Sequence, residues 1–314
     1  MREYLISSKE EGRRLDKFIM RILAGSPSSF AYKMLRKKNI VLNDKKASGN
    51  EILCEGDCVR FYLSDETFDK FSKADNGFSD IAKLMPDIVY EDDDFLFVNK
   101  PSGMLSQKSS AADISLNEIC LAYVRNSSLK RCADVSFTCG ICNRLDRNTS
   151  GIVTFAKTYR AAKILSAAFS KHLLGKYYIC IAKGKPEDKV LEGHISKNTD
   201  NNRVTISSDK DAGAYIRTII RNERSNGTLS LVEINIITGK THQIRAHMAS
   251  DGHPILGDYK YGDRSFNDIY KKKYGITDQM LVCYKLVIPD DPAFGNISGR
   301  TFEIELPEIF KKVF

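Results

Sequence analysis

The chain of 314 residues contains no apolar run approaching the roughly 20 residues that a helix needs to cross a bilayer. Its opening stretch, MREYLISSKEEGRRLDKF, is charged throughout and lacks the apolar core of a secretory signal. These two absences lead to the expectation of a cytosolic protein with no membrane partner. Metal-ligand patterns are also missing. Of the eight cysteines, Cys139 and Cys142 form a single C-x-x-C, whereas a structural zinc site needs a second pair. Cys54 and Cys58 lie far away in sequence, and a cytosolic chain keeps its thiols reduced. The cysteines therefore read as incidental thiols. No internal repeat or low-complexity segment is visible. Nothing suggests a coiled coil or a large exposed apolar stripe, so a monomer is expected. Apolar residues make up 42% of the chain, which is enough for a packed core, and the length suits two domains.

The net charge is +8, and it is unevenly spread. Residues 1–63 hold 13 Lys and Arg against 8 Asp and Glu, the electrostatic footprint of a polyanion binder. Leu15, Phe18, Ile19, Ile22 and Leu23 share one face of a helix. A Gly-Ser-Pro-Ser-Ser break follows, and Ser28 or Ser29 is placed to cap a second helix. That helix, FAYKMLRKK, carries Lys33, Arg36, Lys37 and Lys38. Ile40 to Asp44 and Cys58 to Leu63 read as strands. The prediction is a small α+β module over residues 1–63, then a linker over 64–86, where periodicity is lost.

Residues 87–314 read as a second domain. Two apolar runs, Ile88 to Tyr90 and Phe95 to Val98, flank an acidic turn as in a hairpin, which Lys100-Pro101-Ser102-Gly103 closes. A strand is predicted at Ile152 to Lys157, then a helix with Ala162, Leu165, Phe169 and Leu173 inward. Further strands are predicted at Lys176 to Gly184, Leu229 to Ile237, Met280 to Ile288 and Thr301 to Leu306. Strands dominate without regular βαβ alternation. The expected class is α+β, with a mixed, largely antiparallel central sheet.

Two polar clusters carry the chemistry. In CNRLDRNTSG, residues Cys142 to Gly151, Asp146 sits between Arg144 and Arg147 at the mouth of a core strand. A carboxylate near cations can act as a nucleophile or an electrostatic stabiliser. Thr149 and Ser150 can satisfy local backbone groups, and Gly151 permits a backbone angle closed to other residues. An ordinary surface ion pair is the competing reading of the loop alone. The second cluster, TGKTHQIRAHMASDGHPILGDYKYG, packs Lys240, His242, Arg245, His247 and His253 into a short span. No acidic ligand stands at helical spacing to them, and Arg245 would oppose a cation, so no metal is expected. A site for an anion fits better.

These two clusters, with the segment VYEDDDFLFVNKPSGM, resemble the RluA family of RNA pseudouridine synthases over about Ile88 to Phe314. The segments RRLDKFI, FAYKMLRKKNIVLND and GDCVRF resemble the S4 RNA-binding domain over residues 13–63. The resemblance implies a pseudouridine synthase-like domain preceded by an S4-like domain, with RNA as the partner and no cofactor. It implies that Asp146 is the essential aspartate, that Tyr178 is the tyrosine of a K-x-Y motif, and that Arg245 is the basic partner of the aspartate. Arg144 matches an arginine that helps fill the gap left by the target base. Arg147, Lys240, His242 and the basic helix are expected to contact RNA. Lys100 and Pro101 match a K-P-x-G motif, with no catalytic role expected. Two positions depart from the family pattern: Asn143 stands for the usual His, and Lys240 for the usual Arg.

The residues agree with that chemistry. Isomerising uridine breaks the N1–C1′ bond and forms C5–C1′ without redox change. A carboxylate can attack C1′ much as in a retaining glycosidase. A tyrosine can stack on uracil and assist proton movement. The base must leave its stack, so an arginine wedge and a pocket are expected. The expected activity is formation of pseudouridine in structured RNA, above all large-subunit (23S) ribosomal RNA. The alternatives are a non-catalytic RNA-binding or ribosome-assembly protein, and a glycoside-type hydrolase, for which no motif supplies a second carboxylate.

Overall fold

The computed structural model describes residues 1–8, 10–72, 84–110, 113–126, 139–198 and 203–314. The N-terminal unit is built from β1 (Arg2–Leu5), α1 (Leu15–Ile22), α2 (Ser28–Arg36), β2 (Ile40–Leu42), β3 (Lys45–Lys46) and β4 (Cys58–Phe61). Its antiparallel sheet runs β1-β4-β2-β3. All five apolar residues predicted to share the first helical face are buried. The second helix buries Ala31, Met34 and Leu35 and leaves Lys33, Arg36, Lys37 and Lys38 exposed. Its cap differs from the prediction. Ser28 is already helical, and Pro27 holds the N-cap position in extended backbone with no side-chain cap bond.

The segment predicted as a linker begins with a helix, α3 (Asp65–Ser72). Asp65 and Glu66 in its first turn suit the helix dipole. Phe68 is buried edge-on against Phe61, with ring centroids 5.6 Å apart. That burial needs only two aromatic positions, Phe68 and Phe71, too few for a periodic signature. Residues 73–83 of the predicted linker lie outside the described residues.

The second unit follows with β5 (Ile88–Glu91), β6 (Phe95–Lys100), α4 (Leu116–Asn126), β7 (Gly140–Ile141), β8 (Ser150–Ala156), α5 (Tyr159–Ser170) and β9 (Gly175–Lys183). Then come β10 (Lys189–Asn198), β11 (Arg203–Ser207), β12 (Ala214–Ser225), β13 (Leu229–Ile236), α6 (Gln243–Ser250), α7 (Arg264–Tyr274), β14 (Leu281–Val287), β15 (Thr301–Glu303) and α8 (Glu308–Val313). The sheet runs β11-β10-β12-β13-β9-β14-β8-β6-β5, with β15 on β14 and β7 on β8. It is antiparallel except where β14 lies parallel to β8. The α+β class with a largely antiparallel sheet is what the chain adopts. Among the described residues no helix is long and apolar enough to cross a membrane.

Three strands at one edge, β10 to β12, escaped the sequence reading. In β12 the buried residues Ile216, Thr218 and Ile220 alternate correctly, but Arg217, Arg221 and Asn222 mask the pattern. The predicted face of α5 is also rotated. Thr158 caps the helix by accepting from Ala161 N, and the inward residues are Ala161, Leu165 and Ala168. Two alanines let the helix lie close to the sheet, while Leu173 falls beyond its end and is 49% exposed. On the opposite side of the sheet, Leu145, Val153, Tyr178, Ile236, Ile244 and Leu281 share one apolar cluster. That cluster is the floor of the site.

Candidate active site

The loop before β8 is held from several directions. Gly151 has φ +119°, and a Cβ there would lie 2.2 Å from the carbonyl oxygen of Cys283. Only glycine allows β14 to pair so closely at this point. Asn143 Oδ1 accepts from the backbone and hydroxyl of Thr154 at 2.8 and 2.9 Å, so the residue departing from the family pattern ties the loop to β8. Thr149 N donates to the Asp146 carbonyl at 3.0 Å. From the other side, Ser106 Oγ donates to the Leu145 carbonyl at 2.9 Å and accepts from Leu145 N at 3.1 Å. Arg147 Nε donates to the Gly103 carbonyl at 3.0 Å.

Lys100 is the deepest fastener. It is fully buried, and its ammonium donates to the carbonyls of Pro101, Met104 and Arg147 at 2.9, 2.8 and 2.9 Å. Burial pulls its pKa down to about 8, against the opposing pull of Asp146. The K-P-x-G segment thus shapes the loop that carries Asp146 without facing the cleft.

Asp146 Oδ2 accepts from Arg245 Nη1 at 3.0 Å. The same guanidinium donates through Nε and Nη2 to both oxygens of Asp258, at 2.7 and 3.0 Å. Asp258 is 1% exposed and also accepts from the backbone of Lys260 and Tyr261. A two-pronged bond fixes the plane of an arginine, so Asp258 aims Arg245 at Asp146. His242 approaches the same oxygen, with Nε2 3.7 Å away. It sits in left-handed backbone, φ 54°, at the N-cap of α6. Its Nδ1 lies 2.9 Å from the hydroxyl of Tyr261, and that hydroxyl accepts from Val204 N at 2.8 Å. The tyrosine proton is therefore free to go to Nδ1, which leaves the proton of a neutral imidazole on Nε2, facing Asp146. Burial lowers the pKa of His242, the Arg245 and Lys260 charges add to this, and the Asp146 and Asp258 charges oppose it.

Tyr178 lies on β9 and is 7% exposed. Burial pushes its phenol well above the usual value, and Cys283 adjoins the hydroxyl. It is a neutral phenol, able to donate a hydrogen bond. Tyr177 sits one residue away along the strand, its ring beneath the Lys285 ammonium at 4.5 Å. Asp146, Tyr178 and Arg245 line one cleft of about 1010 Å³. Among the described residues lining it, Asp146 is the single carboxylate, and the lining also includes Lys108, Arg144, Arg147, Lys176, Lys240, Arg245 and Lys260.

Of the residues singled out in the sequence, Arg144, Arg147, Lys240 and His242 also line this cleft. Arg144 is exposed on its rim, with no hydrogen-bond or ion partner among the described residues. Lys33, Arg36, Lys37 and Lys38, on the N-terminal unit, are not among the cleft's lining residues. The three histidines of the second cluster do not converge. His247 Nδ1 lies 2.8 Å from Thr218 Oγ1, with its pKa lowered by burial to about 4, and His253 Nδ1 lies 3.0 Å from the Lys183 carbonyl. Among the described residues no group of three or more His, Cys, Asp or Glu could hold a metal ion. Asp258, Tyr261 and Lys176 were missed as site residues. All three stand inside segments already quoted, and their roles depend on contacts with other segments.

Among solved structures, the fold resembles the human RNA pseudouridylate synthase domain containing 4, with a TM-score of 0.58 at 20% identity, covering 71% of this chain and 90% of that one. Residues 94–250 match the family described as RNA pseudouridylate synthase. The chain is 32% identical over 270 residues to the ribosomal large subunit pseudouridine synthase C of Vibrio vulnificus (strain CMCP6), covering 85% of this chain and 81% of that one. It is 31% identical over 310 residues to the protein of the same name from Rickettsia bellii (strain RML369-C), covering 96% of each. The chain belongs to the RluA-type family of RNA pseudouridine synthases.

Proposed function

We propose that the protein converts specific uridines of large-subunit (23S) ribosomal RNA to pseudouridine, with Asp146 as the nucleophile. Asp146 attacks C1′ of the flipped-out uridine, and the N1–C1′ bonding pair leaves with the uracil. The freed base turns, C5 bonds to C1′, and Asp146 departs as a carboxylate. Loss of the C5 proton and gain of one at N1 balance the isomerisation. Arg245 holds the carboxylate in place, and Tyr178, as a neutral phenol, supports the uracil and serves the proton movements. Arg144 fills the gap in the RNA left by the base. The N-terminal unit, read as S4-like, contributes affinity and site choice through Lys33, Arg36, Lys37 and Lys38.

The observation that carries this reading is the cleft itself: among its described lining residues one carboxylate, held at 3.0 Å by a clamped arginine, in a wall of cations. The ribosomal target is supported by the names of the relatives above. The test is a pseudouridine map of ribosomal RNA from cells with and without the gene, paired with incubation of the purified protein with that RNA. The expected result is the loss of at least one 23S pseudouridine, restored in vitro. Free uracil would point to a hydrolase, and an unchanged map would remove the ribosomal target.

A further inference from the structure

Lys176 is a charged side chain whose surroundings are incomplete. It is the second residue of β9, two residues before Tyr178 on the same face, and is 7% exposed. Among the described residues no carboxylate and no hydrogen-bond acceptor pairs with its ammonium. The titratable group that bears on it is the Cys283 thiol, which burial keeps neutral by raising its pKa to about 12. Burial also lowers the pKa of Lys176 itself. A buried ammonium without a partner is costly. Lys100, the other buried lysine of this region, shows the usual solution, with three carbonyls around it.

Lys176 also has room for a ligand. It lines the cleft, and its Nζ reaches beneath Gly239, where a Cβ would lie 3.6 Å away. His172 and Lys240 stand at the same end of the cleft, both exposed. The charges of Lys176 and Lys240 both act on His172 and add to the burial that lowers its pKa. Three basic groups therefore converge where, among the described residues, the lining holds no carboxylate except Asp146.

We propose that Lys176, with Lys240 and His172 at its rim, forms a phosphate subsite that grips one phosphodiester beside the uridine being modified. Two residues along a strand span about 6.6 Å, which suits a nucleotide whose base lies against Tyr178 and whose phosphate reaches Lys176. The phosphate completes the missing ion pair, so part of the binding energy comes from a charge already desolvated in the free protein. The subsite rests on the proposed function, since it assumes an RNA substrate with its target base in this cleft.

The test uses the full-length protein and an RNA fragment that it modifies. Lys176→Met is expected to raise KM about tenfold and to lower the slope of log affinity against log salt by about 0.7, the share of one phosphate. Its kcat should stay within about threefold of wild type. Lys176→Arg should recover most of the affinity. RNAs carrying a single uncharged methylphosphonate are then scanned through the linkages flanking the target. At one linkage the neutral substitution should weaken the wild type about tenfold and leave Lys176→Met unaffected. A general loss of fold cannot imitate such coupling, because it is specific to one linkage. An unchanged KM and salt slope, additive effects at every linkage, or a fall in kcat with KM unchanged would each overturn the subsite alone. Absence of pseudouridine with the wild-type protein would instead remove the proposed function, and the subsite with it.

Discussion

The chain contains the triplet Arg-Leu-Asp twice, at residues 14–16 and again at 144–146, and the two have opposite fates. Both leucines are buried in a core, Leu15 at 0% and Leu145 at 8% exposed. In the first triplet the arginine pairs with its own neighbour: Arg14 donates to Asp16 through Nε and Nη2 at 3.1 and 2.8 Å. Tyr32 and the backbone of Lys17 complete the shell at 2.8 and 2.7 Å, and Asp16 is 2% exposed. In the second triplet Arg144 points to solvent, and Asp146 pairs with Arg245, 99 residues away. Its side chain remains 27% exposed to the cleft. The same tripeptide is a structural clasp in one place and a candidate nucleophile in the other. The difference lies in whether the carboxylate keeps an open side toward a ligand.

The sharpest way to break this comparison is to neutralise both aspartates. Asp146→Asn should lower kcat more than about a hundredfold, roughly 2.7 kcal/mol in the barrier, while RNA affinity and Tm stay near wild type. A variant that kept more activity would exclude Asp146 as the nucleophile. Asp258→Asn tests the clamp behind it. An amide offers one acceptor where the carboxylate offered two, so Arg245 loses its fixed plane. A loss in kcat of about thirtyfold, roughly 2 kcal/mol, is expected. Full activity would show that Arg245 needs no clamp.

Asp16→Asn should do the reverse of Asp146→Asn, reducing stability by about 1.5 kcal/mol with unchanged activity per folded molecule. Burial raises the pKa of Asp16, but hydrogen bonds from Arg14, Tyr32 and Lys17 outweigh it, so the folded value is lowered. Its stabilisation is in place above the unfolded pKa of about 4 and is lost as pH falls through the lowered folded value. Denaturant melts at several acid pH values should lose that component in the variant, and an identical pH dependence would refute the assignment.

The remaining two effects are smaller. Changing Lys33, Arg36, Lys37 and Lys38 together to Ala should raise KM about tenfold and reduce the salt slope by up to about 3, leaving kcat within about twofold. These cations are exposed and are not among the residues that line the cleft, so a large fall in kcat would contradict their assignment to affinity. Tyr261→Phe should lower kcat only about threefold, roughly 0.7 kcal/mol. Its value lies in the pH profile. The tyrosine proton favours neutral His242, so removing it raises the pKa of a group that faces Asp146, Arg245, Lys260 and Asp258. The acid limb of kcat should move to higher pH, and an unmoved limb would show that Tyr261 does not set the proton position.

By itself the sequence determined the elements whose signal is local. The buried face of α1 follows from helical spacing, and the β5/β6 hairpin from two apolar runs around an acidic turn. Asp146, Arg245 and Tyr178 stood in motifs specific enough to name. Only the tertiary structure decided what those residues meet. Strand β12 is hidden by arginines because its burial comes from the strands on either side of it. Asp258 and Tyr261 look like turn residues until α6 brings Arg245 and His242 against them. Lys176 reads as the basic residue of the K-x-Y motif, and only the fold shows that no carboxylate pairs with it among the described residues. Pairing, burial and the lack of a partner are relations between segments far apart in the chain, and folding alone brings those segments together.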